Sequence, residues 1–168
     1  MDSVNAITNI VSGFAHRIDT RDFTGLAALC SRMTYTSSIG GAGFGAESSG
    51  TPAVAGVDEL ARYYERVLTD ANASWLEGQK RHGDPAQVKT KHIFTNFVID
   101  VASDQATAKA IYYGTVLAFT DELPLSIRYS GRYYDEFARD DGGWFIASRH
   151  QAHDYRAYEH PATTAVYL

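Results

Sequence analysis

Two residues of this sequence, Asp19 and His92, are of the types that act together as acid and base. His92 opens the segment 91–101, whose Ile, Val, Phe and Thr side chains are typical of a β-strand. A strand places alternate residues on one face, here His92, Phe94, Asn96 and Val98. A face that mixes an imidazole and an amide with apolar groups suits the wall of a cavity. A structural histidine at a strand end is the alternative interpretation.

Asp19 is expected at the C-terminal end of the first helix, where the helix dipole disfavours a carboxylate. Asp22, three residues later, has a structural task as the N-cap of the next helix. Asp19 has no such task. It is therefore either solvated at the corner between the helices or held by a cationic or imidazolium partner.

Other kinds of catalytic or binding site find little support. The sequence has no His-x-x-x-His or Glu-x-x-His spacing on a predicted helix and no Gly-x-Ser-x-Gly, so we expect no metal, no cofactor and no serine nucleophile. The glycine-rich segment 40–50 lacks the flanking strand and helix of a phosphate-binding loop. We interpret it as a connection, or alternatively as the lid of a pocket.

Composition is that of one globular domain spanning residues 1–168, with 45% hydrophobic and 21% charged residues. A net charge of −5 and scattered Lys and Arg argue against a nucleic-acid partner. The single cysteine, Cys30, excludes an intrachain disulfide. The chain shows neither a signal-peptide pattern nor an apolar run of membrane-spanning length, so we expect a cytoplasmic protein without a membrane partner.

Hydrophobic periodicity predicts helices followed by strands. Apolar residues recur at three- and four-residue steps in the first helix, which Asp2 or Ser3 would cap. Helices are expected along the apolar stripe from Ile7 to Ile18 and at residues 23–31 and 57–69. The segment 70–90 is expected to be irregular, with one helical turn at most, and strands are expected at 33–38, 91–101, 106–119, 125–138 and 143–155. This order predicts an α+β fold with an antiparallel sheet.

The segments IDTRDFTGLAAL, KTKHIFTNFVID and GRYYDEFARDDGGWFIASRHQAHDY, in this order, resemble the SnoaL-like branch of the nuclear transport factor 2-like superfamily, which includes scytalone dehydratase. The resemblance covers nearly the whole chain. It implies a single SnoaL-like domain built as a cone-shaped, curved antiparallel sheet with the N-terminal helices packed on its concave face.

The resemblance also implies roles for particular residues. The aspartate of IDTRDF and the histidine of KTKHIF correspond to active-site positions, which makes Asp19 and His92 the catalytic candidates. Ile18 stands where the dehydratases have a tyrosine, and Ser38 falls near the position of another. The expected substrate-binding residues are Tyr35, Asn96, Tyr113, Tyr133 and His150.

The function expected from the pair and the resemblance is that of a cofactor-independent dehydratase, isomerase or cyclase. Its substrate would be a small, hydrophobic, oxygenated molecule of aromatic or polyketide-like type. The alternative is a non-catalytic ligand-binding module or the small subunit of a ring-hydroxylating dioxygenase. We also expect a homodimer or homotrimer formed through the convex face of the sheet, with Tyr112, Tyr134 and Phe119 in the interface.

Overall fold

The computed structural model describes residues 2–39 and 56–156 and consists there of helices and one five-stranded sheet. The predicted lid at 40–50 lies outside the described residues. In chain order the elements are α1 (Ser3–Asp19), α2 (Phe23–Cys30), β1 (Thr34–Ile39), α3 (Val57–Gly78), a 3₁₀ turn (Pro85–Gln87), β2 (Lys89–Val101), β3 (Thr107–Phe119), β4 (Ser126–Asp140) and β5 (Gly143–Arg156).

The strands are ordered β1-β5-β4-β3-β2 in a curved sheet that does not close. Strands β2 to β5 pair antiparallel, and β1 pairs parallel with β5. Ile7 and Val11 of α1 are fully buried against inward residues of β3 such as Ala110 and Tyr112. The predicted α+β fold with helices on the concave face is therefore confirmed; the parallel pairing of β1 was not predicted.

Local side-chain caps define the corner between α1 and α2. The Asp2 carboxylate accepts a hydrogen bond from the Asn5 backbone N–H at 2.9 Å, and Asp22 accepts one from the Gly25 N–H at 2.9 Å. Both caps agree with the sequence prediction. Because α1 ends at Asp19, this carboxylate lies at the corner where the chain turns into α2.

Helix α3 is longer than predicted, since it continues from residue 69 to Gly78. The prediction of an irregular segment from residue 70 is wrong. The apolar stripe is interrupted in the sequence by a polar residue, Asn72, and this interruption hides the continuation of the helix. Asn72 is nevertheless buried: its amide accepts a hydrogen bond from Arg128 at 2.6 Å and donates one to the Pro85 carbonyl at 3.0 Å. With these partners the buried face continues through Trp75.

Strand β2 carries a bulge that changes the face of its second half. Asn96 has a φ of +57°, and the register with β3 shifts between Thr95 and Val98. An extra residue in one strand reverses the alternation beyond it. Phe97 therefore packs on the core, while Asn96 is exposed and Val98 is 66% exposed.

A charged network is buried between β3, β4 and β5. Arg149 Nε donates to Asp135 Oδ1 at 2.9 Å, and Arg149 Nη2 donates to Asp135 Oδ2 at 2.7 Å. The Tyr112 hydroxyl donates to Asp135 Oδ2 at 2.7 Å and accepts from Arg149 Nη2 at 2.8 Å. Both charged side chains are 0% exposed, so each depends on the other for compensation.

We expect Asp135→Ala to lower the free energy of unfolding by roughly 3–5 kcal/mol, because it leaves the Arg149 guanidinium buried without a counter-charge. Urea denaturation of purified protein measures the change. The matched control is Glu136→Ala on the same strand, which removes the 3.3 Å ion pair with exposed Lys109 and is expected to change stability by less than about 1 kcal/mol. Equal losses in the two variants would contradict a dominant role for the buried pair.

No helix in the described ranges 2–39 and 56–156 combines the length and the apolar character needed to cross a lipid bilayer.

Candidate active site

Asp19 and His92 are joined by a short hydrogen bond, although 73 residues separate them in sequence. His92 Nδ1 lies 2.6 Å from Asp19 Oδ1, within the reach expected of an acid–base pair. The side chain of His92 is 8% exposed and that of Asp19 is 10% exposed. Asp19 is thus neither solvated nor aimed at bulk water.

Two further donors from β2 hold the Asp19 carboxylate. The His92 backbone N–H donates to Oδ2 at 2.8 Å, and the Thr90 hydroxyl donates to Oδ1 at 3.0 Å. Strand β2 is one edge of the sheet, so the backbone groups on its outer side have no neighbour among the described strands. The end of α1 lies against that edge and supplies the missing acceptor.

The electrostatics of the pair favour an ionised carboxylate. Burial by itself raises the pKa of Asp19, but the hydrogen bonds and electrostatic attraction from His92, together with the bond from Thr90, outweigh it and lower the pKa below its usual value. An ionised carboxylate accepts hydrogen bonds only, so Nδ1 of the imidazole must carry the hydrogen. The other ring nitrogen, Nε2, then has a lone pair and is available as a base.

The imidazole lines a cavity of about 200 Å³ between the concave face of the sheet and helices α1 and α3. Most of the wall is apolar or aromatic, and it includes Phe14, Ile18, Met33, Tyr63, Tyr64, Val67 and Leu68. The polar side chains are fewer and come mainly from β1, β4 and β5: Tyr35, Arg128, Tyr129, Tyr133, Arg149, Gln151 and His153. An apolar cavity with a few polar groups is the usual form of a small-molecule site.

Tyr35 and Tyr133, two of the predicted substrate-binding residues, lie in this wall. The Tyr35 hydroxyl donates to Gln151 Oε1. Tyr133 is 3% exposed and packs edge-on against Phe94, with ring centroids 5.1 Å apart. Burial raises the pKa of Tyr133 well above its usual value, so the phenol keeps its proton.

Tyr113 does not reach the cavity, and the prediction that it does is wrong. Residues directly opposite in an antiparallel pair share a face, and the partner of Tyr133 is Tyr112. These two rings stack on the concave side with centroids 5.2 Å apart. Tyr113 therefore points to the other face, where it is 50% exposed.

Asn96 and His150 also lie away from the cavity, contrary to expectation. Asn96 lies in the bulge of β2, where its side chain is exposed to solvent. His150 is paired with Tyr134 across β4 and β5, and their rings pack 6.2 Å apart on the face opposite the cavity. Residues 149, 151 and 153 are the ones that point inward from β5. The substrate-binding roles predicted for these residues remain without geometric support.

Sequence reasoning missed Arg149, Gln151, Arg128, Tyr129 and His153. Arginine in a strand usually indicates a solvent-exposed position, and only the position of Asp135 on the neighbouring strand makes Arg149 compatible with burial. For His153 a signal was available: it lies three residues after His150 on the same strand, so strand alternation places the two histidines on opposite faces. Among the described residues, no group of three His, Cys, Asp or Glu side chains is arranged to hold a metal ion.

Comparison with known proteins agrees with this architecture. The model of the SnoaL-like domain family matches residues 1–150. A search of curated proteins finds no match to this sequence.

Several solved structures have the same fold at low sequence identity. ActVI-ORFA from Streptomyces coelicolor is 20% identical, with a TM-score of 0.62 over 89% of this chain and 93% of that one. A candidate scytalone dehydratase from Novosphingobium aromaticivorans is 18% identical, with a TM-score of 0.60 over 90% and 84% of the two chains. A nuclear transport factor 2-like protein with a cystatin-like fold, from the same organism, is 16% identical, with a TM-score of 0.58 over 88% and 79%.

Proposed function

Because this chain belongs to the SnoaL-like domain family, we propose that it is a cofactor-independent lyase or isomerase that acts by general acid–base chemistry. The observation that carries the proposal is the 2.6 Å hydrogen bond between Asp19 and His92 in the wall of a mostly apolar cavity. The catalytic residues are His92 as the base and Asp19 as the group that orients it.

The proposed reaction begins at a carbon–hydrogen bond next to a carbonyl group. His92 Nε2 takes the proton, and the electron pair of that bond moves to the carbonyl oxygen, which gives an enolate. Asp19 stabilises the imidazolium that forms. If a hydroxyl group is on the next carbon, it leaves as water with the proton from His92, and the reaction is a dehydration. If the proton returns at another carbon, the reaction is an isomerisation.

The cavity wall supports a hydrophobic, oxygenated substrate of aromatic or polyketide-like type. Phe14 provides flat apolar surface in this wall, and Phe94 packs against both Phe14 and His92 with ring centroids 6.4 Å apart in each case. Burial raises the pKa of both Tyr129 and Tyr133, so these phenols stay neutral and can donate hydrogen bonds to substrate oxygens. The likeness to a candidate scytalone dehydratase favours dehydration as the reaction.

Hydrogen–deuterium exchange tests the proposal without knowledge of the natural substrate. Cyclic aromatic ketones such as 2-tetralone, 1-tetralone and 1-indanone are incubated with the protein in D₂O, and loss of the proton signal next to the carbonyl is followed by NMR. The proposal predicts exchange faster than in buffer with at least one of these ketones. Exchange at the buffer rate with all of them, in a protein that binds them, would favour a binding module over an enzyme.

We further propose that the chain forms a homodimer or homotrimer through the convex face near β2 and β3. Tyr112, expected in the interface, is instead 1% exposed on the concave side. The apolar side chains that are exposed on the outer face are Val98 at 66%, Tyr113 at 50%, Ile93 at 44% and Ile111 at 36%. Val98 and Ile111 are register partners, so these residues form one patch.

We expect light scattering after size exclusion to give the mass of a dimer or trimer at micromolar concentration. Val98→Asp should shift the protein toward monomer, because a carboxylate would be buried in the interface. The control is Thr107→Asp on the exposed end of β3, outside the patch. A wild-type protein that is monomeric at this concentration would contradict the proposal.

A further inference from the structure

Arg149 has one guanidinium nitrogen that its protein partners do not use. Nε and Nη2 are bound by Asp135 and the Tyr112 hydroxyl at 2.7–2.9 Å, as described for the buried network. Nη1 is buried but has no hydrogen-bond partner among the residues that the structure describes. A buried, charged donor without an acceptor is unfavourable, and a ligand oxygen that accepted its hydrogen would relieve that state.

Arg149 belongs to the wall of the same cavity as His92. The central carbon of its guanidinium lies 4.1 Å from the ring centroid of Phe14 and 5.3 Å from that of Tyr133. Phe94 packs against Phe14 at 6.4 Å and against His92 at 6.4 Å between ring centroids. Of these rings, Phe14 and Tyr133 line the cavity together with His92 and Arg149, and Phe94 packs behind them.

Asp135 and Tyr112 fix the orientation of the guanidinium on two of its sides. Arg149 is 0% exposed and cannot swing to another rotamer without breaking the ion pair. A donor held in this way needs no reorganisation when charge develops on its acceptor, which is the property of an oxyanion-binding group.

We propose that Arg149 Nη1 binds the carbonyl oxygen of the substrate, next to the carbon whose proton His92 takes. This inference deepens the proposed function. The role of Arg149 in stabilising an enolate rests on that proposed function. When His92 takes the proton from carbon, the electron pair moves to the oxygen, and the new negative charge lies against Nη1. The substrate class is accordingly an aromatic or polyketide-like ketone whose carbonyl, not its hydroxyl alone, is recognised.

Two ligands with the same carbon skeleton test this assignment. 2-Tetralone carries one carbonyl oxygen, and tetralin (1,2,3,4-tetrahydronaphthalene) carries none. Isothermal titration calorimetry should show that the wild-type protein binds 2-tetralone at least about tenfold more tightly, because a hydrogen bond to a charged donor favours the ketone. The infrared carbonyl band of bound 2-tetralone should also move to lower wavenumber than in buffer.

Variants identify the group responsible. Arg149→Lys keeps a positive charge beside Asp135 but has no Nη1, and it should lose both the preference for the ketone and the infrared shift. His92→Asn should retain both, since it removes the base and leaves the oxygen subsite. A preference or shift that persists in Arg149→Lys and disappears in His92→Asn would overturn the proposal.

A co-crystal structure of the wild-type protein with 2-tetralone decides the matter if Arg149→Lys fails to fold. The carbonyl oxygen should lie within about 3.2 Å of Nη1; an oxygen bound elsewhere in the cavity would overturn the assignment. Oxygen bound at Nη1 without isotope exchange would leave the subsite standing while the proposed catalytic function fails. Isotope exchange with the carbonyl oxygen bound away from Nη1 would leave the proposed catalytic function standing while the assignment of Nη1 fails.

Discussion

His92→Asn should lower the rate of enzyme-catalysed exchange at the carbon next to the ketone by about 10²–10⁴-fold. The asparagine amide nitrogen occupies nearly the place of Nδ1 and can still donate to Asp19, but it has no group equivalent to Nε2. The variant therefore lacks the base but keeps an N–H donor for Asp19 in place of the one that makes the 2.6 Å hydrogen bond. NMR in D₂O with 2-tetralone measures the rate, and urea denaturation should show a nearly unchanged free energy of unfolding.

His16→Asn is the control for this variant. His16 lies in the last turn of α1 close to Asp19 in sequence, but its side chain is exposed. We expect His16→Asn to catalyse isotope exchange at the wild-type rate. If His92→Asn folds and still exchanges at the wild-type rate, His92 is not the base, and the catalytic assignment must be abandoned.

Asp19→Asn should lower the same rate by about 10³–10⁴-fold. An amide can donate to Nδ1, which favours the tautomer with the hydrogen on Nε2 and leaves no lone pair there. An amide also cannot stabilise the imidazolium by charge. Because Asp19 and His92 act as one unit, the double variant should be hardly slower than either single variant.

Asp22→Asn is the matched control at the same helix corner. Asparagine caps a helix about as well as aspartate, and the Asp22 carboxylate caps α2 instead of contacting His92. We expect it to exchange at nearly the wild-type rate. A comparable loss in both variants would mean that the corner supports the fold and does not orient the base.

The lowered pKa of Asp19 gives a second readout for this variant. Since the pKa is lower in the folded than in the unfolded protein, the carboxylate stabilises the fold above its ordinary pKa of 3.8, and this contribution disappears as the pH falls through the folded-state value. The stability difference between wild type and Asp19→Asn should therefore shrink as the pH is lowered below about 4. A difference that is constant from pH 7 to pH 2 would contradict an ionised Asp19.

Local patterns in the sequence were sufficient for the elements and the fold class. Apolar residues at helical spacing predicted α1, and Asp2 and Asp22 predicted its start and that of α2. These signals depend on neighbours a few residues away, so they can be interpreted without the fold. Helix α3 was underestimated because the buried partner of Asn72, Arg128, is 56 residues distant.

The site was predicted only in part, and the resemblance to known proteins contributed much of that. Asp19, His92, Tyr35 and Tyr133 surround or line the cavity, whereas Tyr113 does not. Resemblance between sequences of low identity predicts where a strand lies, but it does not determine which of two adjacent tyrosines points inward. That choice depends on pairing with the neighbouring strand.

The sequence by itself determined the composition of the site: an acid at a helix end, an imidazole on a strand and tyrosines on the strands that follow. Only the tertiary structure decided which of these side chains meet. A single extra residue in β2 turned Asn96 outward, and the pairing of β4 with β5 brought Asp135 to Arg149 and left Nη1 buried without a hydrogen-bond partner among the described residues. The physical reason is that strand alternation has a period of two, so every bulge or register shift reverses which residues face the cavity, and such shifts depend on partners far away in the chain.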